Sequence, residues 1–205
     1  MESSSSKHFV TFFLATLISI SSYTYSISAA RDIPTSKTNI EFIRTSCVAT
    51  TYPKLCFSSL ASHASTIQSR PQLIASTALG VTLSSAKTTS TMMLNLSLSH
   101  GLKPKEVDAM KDCIEELSDS VDELRRSMVE MSQVVKGGPK FKLMINDIQT
   151  WLSAALTDET TCTDGFEGNE MNGNLKTTVR ARIVNVAQLT SNALALINKY
   201  ALIHG

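Results

Sequence analysis

The sequence predicts an all-α fold: an antiparallel up-down-up-down four-helix bundle preceded by an N-terminal helical hairpin and stapled by two disulfides. Three observations carry that prediction. Apolar residues recur in steps of three and four, glycine and proline stand where those runs stop, and the four cysteines sit at mirror positions about turn signals. No stretch of strand length alternates apolar with polar residues, so nothing competes with the helical period.

The first 30 residues set the compartment. Lys7 supplies a positive start, Phe9 to Ile20 (FVTFFLATLISI) is an apolar run of signal-peptide length, and Ser28-Ala29-Ala30 offers small residues for cleavage after Ala30. The apolar run is well short of the roughly 20 residues that span a bilayer, so a cleaved signal peptide (1–30) and a secreted, extracellular chain are expected. Residues 31–37 form a polar leader expected to be disordered, and 38–203 form one domain.

Within it, short helices are expected over 38–48 and 53–62, a hairpin turning at Thr50-Thr51-Tyr52-Pro53, with the proline suited to a first helical turn. Pro71 opens a long Ala-, Leu-, Ser- and Thr-rich helix that runs to about Ser99. His100-Gly101 ends it, and Pro104 starts the next. Over 105–135, Val107, Met110, Ile114, Leu117, Val121, Leu124, Met128, Met131 and Val135 keep steps of three and four throughout, a heptad seam that packs in a bundle. Gly137-Gly138-Pro139 breaks it. Phe141, Met144, Ile148, Trp151/Leu152 and Ala155 mark a further helix ending near Asp158, and a polar loop follows over 160–174. The last helix carries Val179, Ile183, Val186, Thr190, Ala193, Ile197 and Tyr200. Connections this short favour antiparallel neighbours. The methionines at 92, 93, 110, 128, 131 and 144 fit as core filler.

The cysteines test this layout. An even count behind a signal peptide indicates disulfides, with three possible connectivities for Cys47, Cys56, Cys113 and Cys162. Residues equally far from an antiparallel turn lie level with each other. Cys113 is 25 residues before Gly138 and Cys162 is 24 after it, and Cys47 and Cys56 flank Thr51-Tyr52 in the same way. That reflection favours Cys47–Cys56 and Cys113–Cys162.

Chemistry is sparse. Lysine plus arginine number 19 against 18 acids, a net charge of +1 that argues against nucleic acid; Lys7 and Glu2 both leave with the signal peptide, so the balance survives cleavage. No second apolar stretch of membrane length follows. His63, His100 and His204 lack metal-ligand spacing, the loop 164–170 misses the EF-hand pattern, and there is no GxSxG, HExxH or phosphate-binding glycine loop. With the cysteines bonded no thiol nucleophile is left. No enzyme activity, cofactor or metal is expected, and the chain is expected to act by binding. Asn95-Leu96-Ser97 is a glycosylation sequon inside a predicted helix.

One constellation stands out. Asp112, Glu115, Glu116, Asp119, Asp122 and Glu123 crowd the middle of the second bundle helix. Glu115, Asp119 and Asp122 share one face at i, i+4, i+7, with only Lys111, Arg125 and Arg126 near enough to offset them. Such a stripe is either a solvated face or a docking surface for a basic partner.

Several segments resemble the plant invertase/pectin methylesterase inhibitor family. Cys47-Val48-Ala49-Thr50-Thr51-Tyr52-Pro53-Lys54-Leu55-Cys56 is similar to its opening motif. Asp112-Cys113-Ile114-Glu115-Glu116-Leu117 with Val121-Asp122-Glu123-Leu124 is similar to its central helix, Leu117 replacing the usual tyrosine. Trp151-Leu152-Ser153-Ala154-Ala155-Leu156-Thr157 and Thr161-Cys162-Thr163-Asp164-Gly165-Phe166 resemble a third motif. The resemblance covers about 38–202 and implies a four-helix bundle with the same two disulfides. It further implies a one-to-one inhibitory complex with a cell-wall or vacuolar carbohydrate-active enzyme. For pectin methylesterase, the matching interface positions are Glu115, Asp119, Asp122, Thr161 and Asp164, which include the stripe. The chain stops at Gly205, so no esterase catalytic domain is expected to follow. For acid invertase, the matching motif is Pro139-Lys140-Phe141 at the hinge, which also suits a helix start. The longer matches favour the esterase and the wall space, with invertase the alternative.

Overall fold

The computed structural model describes residues 36–167 and 173–204. The signal-peptide reading falls outside them. A first helix, α1 (36–47), and α2 (Pro53–Leu60) form the hairpin. A 3₁₀ turn (Ala61–His63) and a short α3 (Ala64–Ile67) lead to α4 (Pro71–Ser97), then α5 (Pro104–Gln133), α6 (Phe141–Asp164) and α7 (Asn174–His204). Helices α4 to α7 each touch the preceding and following member, and α7 closes the ring on α4, giving the expected antiparallel bundle. The hairpin lies on α2's contacts with α4 and α7. Among the described residues no helix is long and apolar enough to cross a membrane.

Local chemistry accounts for the boundaries. Prolines stand in the first turns of α2, α4 and α5, where the missing N–H costs nothing. At the start of α5 the Glu106 carboxylate accepts the Lys103 N–H at 2.8 Å. Gly101 turns the α4–α5 connection at φ +84°, a conformation that other residues reach only with strain. The disulfides are Cys47–Cys56, within the hairpin, and Cys113–Cys162, between α5 and α6. Asn192 docks the hairpin on α7: its side chain accepts the Tyr52 N–H and donates to the Tyr52 carbonyl, both at 3.0 Å.

Several expected boundaries move. Helix α6 continues past Asp158 to Asp164, so the loop begins later than 160. The burial seam explains it: Ala155, Glu159 and Cys162 extend the four-three step, and the Thr160 and Thr163 hydroxyls bond back to the carbonyls of Leu156 and Glu159. The hairpin's second arm also passes 62 and reaches Ile67, anchored by buried Ala64 and Ile67, before Gln68 and Ser69 turn the chain with positive φ. Helix α1 already includes residues 36 and 37, which were expected in the leader. In α5 the seam's two ends, Val107 and Val135, are exposed, and Ile114 and Met128 sit at its edge; the fully buried line runs through Met110, Cys113, Leu117, Leu124 and Met131. The α7 seam is buried from Val179 to Tyr200.

The core has two apolar parts. One joins Ile43, Cys56 and Leu60 of the hairpin to Leu79, Leu124, Ile148, Leu152 and Ile197 of the bundle. The other holds Met93, Met110, Cys113, Leu117, Cys162, Phe166 and Ile183 at the opposite end. At their boundary lie buried polar residues from three helices, Ser120, Glu159 and Thr190.

Candidate functional site

Helix α5 presents the acidic stripe because its other face is committed to the core. Met110, Cys113, Leu117 and Leu124 point inward, which leaves Glu115, Asp119 and Asp122 exposed on the opposite surface. Asp122 pairs with Arg125, and Glu123 pairs with Arg126 at 3.3 Å. Among the described residues no cation lies within ion-pair distance of Glu115 or Asp119. The stripe is therefore compensated at its C-terminal end only.

The Cys113–Cys162 bond sets the level of α6 beside it, with the two Cα atoms 4.3 Å apart. Glu115 follows Cys113 by two residues, and Thr161 and Asp164 flank Cys162, both exposed. These three positions thus gather around one covalent tie, while Asp122 lies about 14 Å further along α5 at 1.5 Å per residue. Beyond Cys162, Phe166 is fully buried and Arg180 of α7 donates to the Thr163 carbonyl and the Glu167 carboxylate, each at 3.2 Å. The end of α6 is held from both sides.

Two further acids on α6 belong to this region and were not singled out by their sequence pattern. Asp158 faces α5: partial burial pushes its carboxyl up to about 6, with Glu116, Asp119 and Glu123 adding repulsion. Glu116 is likewise raised, first by burial and then by Asp119, Glu115 and Asp112. The negative field therefore crosses from α5 onto α6. Glu159 is the other. It is fully buried, and the Ser120 and Thr190 hydroxyls reach its Oε1 at 2.8 and 2.9 Å. A helix expected to end near Asp158 misses Glu159; the four-three step from Ile148 through Leu152 and Ala155, carried one step further, is the signal that could have placed it inward.

The hinge motif is split. Pro139 and Lys140 are exposed, but Phe141 is buried at the start of α6 and meets the Tyr200 ring edge-on, centroids 5.7 Å apart. Asn95 is exposed on α4. Among the described residues no three acids, histidines or cysteines come together as a metal site.

Apart from the buried Glu159, the charged side chains of this disulfide-tied helical bundle lie at its surface or partly exposed among the described residues. Residues 41–196 match the plant invertase/pectin methylesterase inhibitor model, and the chain belongs to that family. It is 48% identical over 195 residues to pectinesterase inhibitor 11 of Arabidopsis thaliana, covering 94% of this chain and 96% of that one. It is 48% identical over 165 residues to a 21 kDa protein of Daucus carota, covering 80% and 86%. The fold is similar to the crystal structure of a mutant form of a pectin methylesterase inhibitor from Arabidopsis, with a TM-score of 0.60 at 20% identity over 74% of this chain and 92% of that one.

Proposed function

We infer that this chain is a proteinaceous inhibitor of plant pectin methylesterase, secreted to the cell wall and itself without catalytic activity. The observation that carries this reading is the 48% identity to a pectinesterase inhibitor across nearly the whole of both chains. The geometry agrees with it. Glu115 and Asp119 are exposed and unpaired among the described residues, and Asp122 continues their line. Thr161 and Asp164 are exposed on either side of Cys162, whose bond to Cys113 brings α6 level with this part of α5, and in this reading the five residues form the docking face that meets basic groups on the esterase and fixes its orientation. Bound there, the bundle keeps pectin out of the esterase cleft by bulk alone. The invertase alternative draws less support, because burial of Phe141 withholds one third of its hinge triplet from any partner.

The test adds the purified chain to plant pectin methylesterase and, separately, to acid invertase. Loss of esterase activity is expected, with invertase unaffected; inhibition of invertase alone would sink the proposal. A variant with Glu115, Asp119 and Asp122 all changed to Lys keeps its helical content and loses inhibition. Should that variant inhibit as well as the parent, the stripe is only a solvated face.

A further inference from the structure

The buried layer of Ser120, Glu159 and Thr190 has no part in the docking face. Glu159 sits where α5, α6 and α7 meet, at the boundary of the two apolar clusters, with a side chain fully shielded from water. Its Oε1 is contacted by two hydroxyls, while its Oε2 is buried with no hydrogen-bond partner. No cation reaches it among the described residues. A carboxylate in that setting would leave a charged oxygen unpartnered in the core, which is far costlier than leaving a neutral carbonyl there.

The proton arithmetic of Thr190 points the same way. Its Oγ1 lies 3.1 Å from the Val186 carbonyl and 2.9 Å from Glu159 Oε1. A hydroxyl has one proton. When Thr190 gives that proton to the Val186 carbonyl, only a protonated Glu159 can complete the second contact, by donating to Thr190 Oγ1. Ser120 then donates to Glu159. A neutral acid thus bolts three helices together; a carboxylate must compete with Val186 for the same proton.

We propose that Glu159 is a pH-sensitive bolt: neutral, it joins α5, α6 and α7, and ionised, it loosens the bundle, so that the fold is secured in acid and weakened towards alkaline pH. The device belongs to the bundle itself and does not depend on which enzyme the protein inhibits. Burial pushes the Glu159 carboxyl up to about 8 from 4.5, outweighing the pull of its hydroxyl partners, and neighbouring Asp158 adds to the rise. A group whose pKa is raised on folding contributes stability that is complete below its unfolded value and is lost as pH rises through the folded one. The window is therefore about 4.5 to 8.

The groups around it are few. From α5, Ser120 is neutral, and Glu116, Asp119 and Glu123 act on Asp158. From α6, Asp158 is a like charge, and from α7, Thr190 is neutral. Asp158 titrates around 6, so the part of the slope above that value belongs to Glu159.

The test is urea unfolding of the purified, disulfide-bonded chain at pH 5 and pH 8, alone and as Glu159→Gln. In the parent, Glu159 by itself raises the unfolding constant on the order of a few hundredfold between these pH values, and Asp158 adds about tenfold, nearly all of it below about pH 7. The Gln variant keeps the neutral shape and should lose most of that rise, while Asp158→Asn retains the part above pH 6. Equal pH slopes in parent and Gln variant overturn the proposal. If the Gln variant does not fold, carboxyl-carbon NMR of the ¹³C-glutamate-labelled parent decides: one glutamate staying protonated above pH 6 supports the bolt, and titration of every glutamate below pH 6 refutes it.

Discussion

Replacing Cys113 and Cys162 together by Ala removes the link between α5 and α6, which spans 49 residues of chain. A cross-link of that length withdraws conformations from the unfolded chain, and the loop-entropy relation puts its contribution at about 4 kcal/mol. The hairpin link spans 9 residues and by the same relation contributes about 2.6 kcal/mol. All four cysteines are essentially buried, so removing sulfur from either pair leaves a comparable packing loss and the loop term decides the order. At a urea m-value of about 2 kcal/mol/M, the midpoint falls by about 2 M for the long link and about 1.3 M for the short one. Both variants are measured by far-ultraviolet circular dichroism in urea against the oxidised parent. A larger loss from Cys47/Cys56→Ala than from Cys113/Cys162→Ala would refute the chain-entropy reasoning, and would place the hairpin at the centre of the fold's stability.

Leu117→Ala empties a fully buried site in the smaller apolar cluster and should cost about 3–5 kcal/mol, read as a lower urea midpoint. Asn192→Ala removes both bonds to the Tyr52 backbone; a loss of about 1–3 kcal/mol is expected, with hydrogen exchange accelerated first in the hairpin. The glycines divide by conformation. Gly101→Ala, at φ +84°, should destabilise by about 1–2 kcal/mol. Gly165→Ala, right-handed and with its nearest new contact at 3.5 Å, should raise stability by about 0.4–1 kcal/mol in the same assay.

What the sequence made legible follows the physics of each element. Helix α7 was readable because the seam from Val179 to Tyr200 is buried at every step against α4 and α6, so pattern and packing coincide. The ends of the α5 seam misled because Val107 and Val135 lie near the helix termini and stay exposed. The end of α6 was read short because Asp158-Glu159-Thr160-Thr161 looks like a polar loop. In the fold the Thr160 hydroxyl bonds back to the Leu156 carbonyl, and Glu159 is bonded within the core. A buried acid contradicts composition, so Glu159 went unread, although the four-three step carried past Ala155 falls on it. The stripe itself was plain in the spacing of Glu115, Asp119 and Asp122. The part played by Asp158 was not, because it depends on how α5 and α6 lie against each other.

Function and stability pull in opposite directions on α5, and that conflict can be measured. Glu115 and Asp119 repel each other at i, i+4, a cost of a few tenths of a kcal/mol, and they burden Glu116 as well. Arginines relieve Asp122 and Glu123, but among the described residues none relieves the N-terminal half. That half lies over Cys113 and Leu117, where a disulfide and buried apolar contacts hold the helix regardless of its surface charge. The fold can therefore carry unpaired acids there without unravelling. Neutralising them as Glu115→Gln and Asp119→Asn should leave the urea midpoint unchanged or slightly higher, and should weaken esterase inhibition at low salt more than at high salt, because the attraction removed is screened. A matching loss of stability would mean that the acids serve the bundle. Unchanged stability with weakened inhibition means that they are kept for a partner.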